Sequence, residues 1–225
     1  IAVLIAIAAA VAVYFLRGSH DKTIRSLAVL PFANNTHDPN TDYLSDGITD
    51  STINSLSQIP DLKVMSRSTV FSYKGKEVDA RKVGKDLNVD AVVMGNILMH
   101  QDTLIVQANL VDVKDGSQIW GDQYNRKISD VLALQSDISK EISENLRKKL
   151  TPNEQQKVTK QYTSDTQAYE LYLKGRYEFN LRTPDSLNRS IDFFNQAIQK
   201  DPKYALAYSG LAEVYAVVNG YGQVK

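Results

Sequence analysis

The chain has 225 residues, with 26 lysine and arginine side chains, 26 aspartate and glutamate side chains and no cysteine. This balance of charge gives no electrostatic reason to expect a nucleic acid as the partner. The lack of cysteine excludes disulfides, thiolate nucleophiles and thiolate-bound metals. The hydrophobic share of 43% is enough for an ordinary globular core.

Residues 1–16 form an uncharged, strongly apolar stretch, IAVLIAIAAAVAVYFL. A membrane-spanning helix needs about 20 apolar residues, and sequence upstream of Ile1 could supply the remainder. Tyr14 and Arg17 are typical of the membrane–water boundary. We therefore predict a transmembrane helix over residues 1–17, truncated at its N-terminus. A signal-peptide core or a buried helix are the alternatives, although residues 16–20 make a poor cleavage site.

The next part, residues 24–150, is predicted to be an α/β (α+β) domain with a mixed sheet. Its hydrophobic patterns run in the order strand, helix, strand, helix, three strands, helix. The three consecutive strands are expected to form an antiparallel meander, because a tight turn at Gln101-Asp102 and a hairpin turn at Asp115-Gly116 separate them. The patterns cover residues 26–32, 44–59, 62–66, 79–87, 89–99, 104–110, 118–126 and 129–150.

Several short segments of this domain occur in a familiar order. They read AVLPF at 28–32, YLSDGIT at 43–49, LSQIP at 56–60, YKGK at 73–76, DAR at 79–81, GSQIW at 116–120, YNR at 124–126 and ALQ at 133–135. Together they resemble the TolB amino-terminal-like (FlgO-type) domain. This resemblance implies an extracytoplasmic location behind a transmembrane helix. It also implies an upstream serine/threonine kinase, nucleotide cyclase or winged-helix DNA-binding domain, as in many bacterial regulators.

The C-terminal part is predicted to be all-helical. Residues 151–167 are polar and are interpreted as a linker. Residues 168–225 resemble tetratricopeptide repeats, whose period is 34 residues, with Ser190 in place of the usual alanine and a longer loop at 182–185. A plain helical hairpin is the alternative, and further repeats are expected after Lys225. The repeat-motif residues are expected to pack between helices; they are Tyr172, Gly175, Tyr177, Phe194, Ala197, Pro202, Tyr208, Leu211, Ala212 and Tyr215.

No pattern in the chain predicts a catalytic residue, a metal site or a cofactor. The sequence from Asp38 begins like a calcium-binding loop, but Tyr43 and Thr49 replace the required glycine and glutamate. The three histidines are far apart, and no phosphate-binding loop or hydrolase motif is present. The carboxylates of Asp42, Asp46 and Asp50 are expected to be solvated at the start of a helix, where negative charge suits the helix dipole.

Two aromatic residues, Trp120 and Tyr124, are expected to pack in the core beneath the last helix of the α/β domain, with a ligand site as the alternative. We therefore predict a non-catalytic, single-pass membrane protein. Its extracytoplasmic part would bind protein or peptide partners through the helical repeats and pass on a signal. The alternatives are the sensor part of a kinase or cyclase, the extracytoplasmic part of a winged-helix transcription regulator, and a purely structural envelope or assembly factor. The oligomeric state stays open.

Overall fold

The structure is a computed structural model that describes residues 24–36, 38–146 and 150–218. The predicted transmembrane helix at residues 1–17 and the histidines His20 and His37 lie outside these ranges. None of the helices within them is both long enough and apolar enough to cross a membrane.

The described residues form one sheet and a series of helices. The strands are β1 (Ser26–Val29), β2 (Ala33–Asn34), β3 (Lys63–Val64), β4 (Ala91–His100), β5 (Thr103–Asp112) and β6 (Gln118–Lys127). The α-helices are α1 (Asp42–Leu56), α2 (Arg67–Val70), α3 (Ala80–Leu87), α4 (Val131–Leu146), α5 (Pro152–Val158), α6 (Thr166–Leu181), α7 (Pro184–Lys200) and α8 (Ala205–Val218). Short 3-10 turns cover Pro39–Thr41, Phe71–Tyr73 and Ile128–Asp130.

The sheet is mixed, as the sequence predicts. Its strand order is β3-β1-β4-β5-β6, with β2 also pairing to β4. The strands β1 and β3 run parallel to their neighbours, whereas β4, β5 and β6 form the expected antiparallel meander. The turns between the meander strands contain positive φ angles, +56° at Gln101 and +77° at Gly116. Glycine takes such an angle without steric cost, which explains the Asp115-Gly116 hairpin.

The alternation of β5 separates a buried face of the meander from an open one. Leu104, Val106 and Leu110 are fully buried on the face that α1 and α4 cover. On that face Tyr124 is 5% exposed and Trp120 is partly buried, so both pack against the core as expected. The opposite face carries amides instead, and the exposed Gln107 bonds to neighbours on both β4 and β6.

Side-chain caps set the ends of several helices. Asp79 accepts a hydrogen bond from the Lys82 amide at the start of α3, and Asp165 does the same for Ala168 at the start of α6. These bonds satisfy donors that the first helical turn leaves free. At the other end of α3, Asn88 adopts a left-handed conformation that terminates the helix.

The segment expected to be a linker contains a helix. Residues 152–158 form α5, which begins with a capping box between Thr151 and Glu154 and has Pro152 at its first position. Val158 at its end is 1% exposed and belongs to the main hydrophobic core. The connection from the sheet to the C-terminal helices is therefore packed against the protein for at least part of its length.

Candidate functional site

The sheet and the C-terminal helices meet along helix α1. We call residues 24–146 the sheet domain, helices α6, α7 and α8 the helical unit, and the contact between these two parts the joint. Side chains of the helical unit, among them Ala168, Tyr169 and Leu173, belong to the same hydrophobic core as the sheet. The joint is thus a packed interface between the two parts of the chain.

The centre of the joint is a close contact between α1 and α6. A Cβ atom at Gly47 would lie only 2.7 Å from Leu173 Cδ2, so a larger side chain there would displace the Leu173 side chain. Ser51 Oγ and the Tyr169 hydroxyl are 2.9 Å apart, within hydrogen-bond distance. At the start of α1, Tyr43 donates a hydrogen bond of 2.7 Å to Glu170. The contact combines close packing with two specific polar links.

The carboxylates on α1 are buried beside this contact, and the expectation that they are solvated is wrong for two of them. The side chain of Asp46 is 8% exposed, and that of Asp50 is 12% exposed. Lys74 Nζ lies 2.6 Å from Asp46 Oδ1. Arg67 Nε lies 2.7 Å from Asp50 Oδ1 and donates to Oδ2 at 2.9 Å. The cations come from a short helix and a turn that the sequence analysis did not connect to α1.

Burial dominates the electrostatics of this acidic pair. It raises the pKa of Asp46, and the opposing effect of Lys74 and Arg67 is smaller. It also raises the pKa of Asp50, again only partly offset by Arg67. The guanidinium carbon of Arg67 lies 3.4 Å from the centre of the Phe71 ring, which fixes the arginine in place. The result is an ion-pair cluster held between α1, α2 and the turn after it.

Within the helical unit, four of the predicted repeat residues lie at the contact between helices. Phe194 and Ala197 are fully buried, and Gly175 is buried against the Phe194 ring. The Tyr172 ring packs against Phe194 with 5.8 Å between ring centres. Ser190, which replaces the usual alanine, donates a hydrogen bond of 2.8 Å to the Gly175 carbonyl.

The remaining repeat residues are more accessible in the described part of the chain. On α8, Tyr208 is 48% exposed and Tyr215 is 51% exposed. Ala212 is also exposed, whereas Leu211 packs against the smaller core of the helical unit. Pro202 is exposed just before α8, and Tyr177 is half-buried with its ring 5.6 Å from Lys74 Nζ. Tyr177 therefore faces the ion-pair cluster of the sheet domain.

A cleft opens beside the joint, and we call it the joint cleft. It has a volume of about 310 Å³ and is lined by α1, α5, α6 and α8 together with the segment between α5 and α6. A narrower extension of about 60 Å³ continues from it towards Tyr169 and Tyr204. Its walls carry hydroxyls, amides and the cationic side chains of Lys157, Lys160 and Arg176.

Some residues of the site were not singled out by the sequence. The Tyr204 side chain is 1% exposed and its ring centre lies 5.3 Å from that of Tyr172, and Gly210 lies close against the Phe194 ring. In the sequence, Gly210 could have been found because it is a small residue on the helix after Pro202. Arg176 pairs with Glu213 at 2.6 Å across α6 and α8.

Among the described residues, no group of three or more histidine, aspartate or glutamate side chains could hold a metal ion.

Residues 22–144, just over half of the chain, match the sequence model of a family described as HilA/YgeH-like transcriptional regulator, second domain. The chain belongs to this family. The match covers the sheet domain as far as Glu144, two residues before the end of α4. The family's description as transcriptional regulators refers to the proteins that contain this second domain.

The chain is also similar to a protein with a different description. It is 33% identical over 190 residues to "Putative adenylate cyclase 3" of Rhizobium meliloti (strain 1021). This similarity covers 83% of the chain, and therefore most of the joint, but only 32% of the relative. The chain thus spans about a third of the length of this curated relative.

Similar solved structures include a lipoprotein, TolB and a domain of LpoB. Lipoprotein GNA1162 of Neisseria meningitidis is 23% identical with a TM-score of 0.41, covering 54% of this chain and 99% of its own. TolB of Acinetobacter baumannii is 17% identical with a TM-score of 0.42, covering 56% of this chain and 29% of its own. The C-terminal domain of LpoB from Salmonella enterica is 16% identical with a TM-score of 0.37, covering 51% and 92%.

Proposed function

We propose that this chain is a non-catalytic, protein-binding input module of a longer signalling protein. The observation that carries the proposal is the joint, because the sheet domain and the helical unit share one hydrophobic core. A partner held by the helical unit would therefore act directly on α1, and through it on the sheet. Coupling of this kind needs a two-state element whose equilibrium both sites bias, and the joint is the element that we propose for it.

The comparisons support an input role over a catalytic one. The sheet domain belongs to a family described as transcriptional regulators, and most of the chain matches part of a protein named as a cyclase. A segment shared by proteins with different outputs is better explained as a common sensing or binding part than as the source of either output. A cyclase and a transcription regulator were both expected as alternatives for the whole protein. The full-length protein determines which of them applies here.

The helical unit supplies the binding surface in this proposal. Tyr208 and Tyr215 project exposed rings from α8, and tyrosine is enriched in protein interfaces. The arrangement of Gly175, Phe194 and Ala197 agrees with one tetratricopeptide repeat followed by the first helix of a second. In the same proposal, residues 1–17 anchor the module in a membrane, with the soluble part on the extracytoplasmic side.

Two measurements test this function. The purified 225-residue chain, mixed with ATP or GTP and a divalent cation, should form no cyclic nucleotide, and product formation would contradict the non-catalytic assignment. A photocrosslinking amino acid at position 208 or 215 of the full-length protein in cells should form covalent adducts with another protein. The same amino acid at exposed Lys63 on β3 is the control. Adducts confined to the protein's own chain would contradict partner binding through α8.

A further inference from the structure

We propose that the joint cleft binds a small organic anion, a phosphate or carboxylate attached to an apolar group. This goes beyond the proposed function, which concerns protein partners. The cleft lies where the sheet domain, α5 and the helical unit meet, so its occupant would contact all three parts of the chain. The volume of about 310 Å³ is at the small end of the range for ligand sites in proteins.

The charge of the cleft favours an anion. Lys157, Lys160 and Arg176 line it, against a single lining carboxylate, Glu213. Glu213 is already paired with Arg176 at 2.6 Å. Neither lysine has a carboxylate partner among the described residues, and Lys160 only rests its ammonium 4.5 Å from the centre of the Tyr162 ring. Two cations on one wall are therefore left to attract a negative group.

A second, independent feature is the hydroxyl of Tyr172. The Tyr172 ring is fixed between Phe194 and Tyr204, with ring centres 5.8 and 5.3 Å away. Tyr172 lines both the cleft and its extension, yet its hydroxyl makes no hydrogen bond within the described part of the chain. Burial raises the pKa of Tyr172 to about 12, so the hydroxyl keeps its proton at neutral pH and can donate it. A hydroxyl on a residue that lines the cleft can donate to a ligand oxygen there.

The remaining wall of the cleft is the reason why we expect the ligand to have an apolar part. Leu206 and the Tyr162 ring border both the cleft and its extension. Tyr162 is 43% exposed, so its ring can cover a ligand without first leaving a packed position. An inorganic ion would leave this apolar surface uncovered, whereas an aromatic or aliphatic anion would bury it.

The test uses phenyl phosphate and benzoate as probes, with neutral benzyl alcohol as the comparison ligand. Isothermal titration calorimetry of the 225-residue chain should show saturable binding of at least one anion and at least tenfold weaker binding of benzyl alcohol. Preference for phenyl phosphate would identify a phosphate ligand, and preference for benzoate a carboxylate. Equal binding of benzyl alcohol, or no saturable binding of either anion, would overturn the proposal.

Three variants place the binding in this cleft. The double variant Lys157→Gln with Lys160→Gln should weaken anion binding at least tenfold, and Tyr172→Phe should also weaken it about tenfold or more, as expected for one lost hydrogen bond to a charged group. The matched control is Lys63→Gln with Lys127→Gln, which removes two equally exposed lysines away from the cleft. Circular dichroism checks that each variant is folded. Equal affinities in the cleft and control variants would overturn the proposal, whereas the photocrosslinking result would be unaffected.

Discussion

Gly175 lies directly against the ring of Phe194, so close that a Cβ atom on Gly175 would be 2.7 Å from Phe194 Cε1. Gly210 approaches the same ring from α8, where an added Cβ would lie 2.5 Å from Phe194 Cζ. One phenylalanine thus fills the gap between three helices because two glycines make room for it. The small and large repeat positions act as a matched set.

Replacing Gly175 by a larger residue should destabilise the protein. We expect Gly175→Ala to lower the free energy of unfolding, because overpacking a core costs about 1–3 kcal/mol. The better helix propensity of alanine returns only about 1 kcal/mol. Urea unfolding measures the difference. The control Gln199→Ala, at an exposed position of α7, should change stability by less than about 0.5 kcal/mol. A stabilised Gly175→Ala variant would show that Phe194 is not confined.

The buried carboxylate of Asp46 should make stability depend on pH. Its pKa in the folded protein is raised above the ordinary value of 3.8, so its contribution is complete below 3.8 and is lost as the pH rises through the folded pKa. The free energy of unfolding of the wild type should therefore fall with rising pH relative to that of Asp46→Asn. Urea unfolding at a series of pH values measures this difference.

A variant of Lys74 provides a second test of this pH dependence. Because Lys74 lowers the pKa of Asp46, Lys74→Gln should raise that pKa further and move the loss of stability to higher pH. It should also destabilise the protein at neutral pH by about 1–3 kcal/mol, since a buried carboxylate loses its partner. A wild-type stability that increases with pH relative to Asp46→Asn would contradict the assignment.

The cap of α5 should determine how firmly the connecting segment is held. Thr151→Ala removes the side chain that accepts a hydrogen bond from the Glu154 amide, and losing such a cap costs about 0.5–2 kcal/mol. Hydrogen exchange of the amides at residues 153–158 should become faster. The exposed Asn153→Ala change is the control. Unchanged exchange in Thr151→Ala would mean that Val158 alone holds the helix.

Strand β6 lies at one edge of the sheet, and its charged side chains protect it from pairing with other chains. Asp122 accepts a hydrogen bond from the Gln123 amide at 2.7 Å, and Arg126 donates to the Asn125 carbonyl at 3.2 Å. Such charges discourage edge strands from pairing with other chains. The double variant Asp122→Ser with Arg126→Thr should therefore increase self-association in analytical ultracentrifugation.

The control for the edge strand makes the same charge changes on a helix. It is Asp192→Ser with Lys200→Thr, at exposed positions of α7. If both double variants associate equally, the increase comes from reduced surface charge and the protective role of the β6 side chains is contradicted.

Much of the sheet domain could be predicted because its signals are local. The alternation of Leu104, Val106 and Leu110 gives the buried face of β5, and Asp115-Gly116 gives the hairpin. The repeat spacing predicted some of the residues that pack around Phe194. These features depend on neighbours within a few residues or within one repeat.

The missed features depend on contacts between distant parts of the chain. Asp46 and Asp50 show helical spacing that is equally typical of a solvated helix start, and their burial requires Arg67, Lys74 and the docking of α6. Helix α5 has a polar sequence whose only apolar anchor is Val158. The joint cleft combines residues from four helices, so no single segment carries a motif for it.

The central claim is that the sheet domain and the helical unit behave as one coupled body, and Trp120 tests it directly. Trp120 is the single tryptophan of the chain and lies on β6, far in sequence from Gly175. Urea unfolding followed by Trp120 fluorescence and by far-ultraviolet circular dichroism should give coincident transitions, and Gly175→Ala should shift both midpoints. Two separate transitions, with a Trp120 midpoint that Gly175→Ala leaves unchanged, would contradict the account.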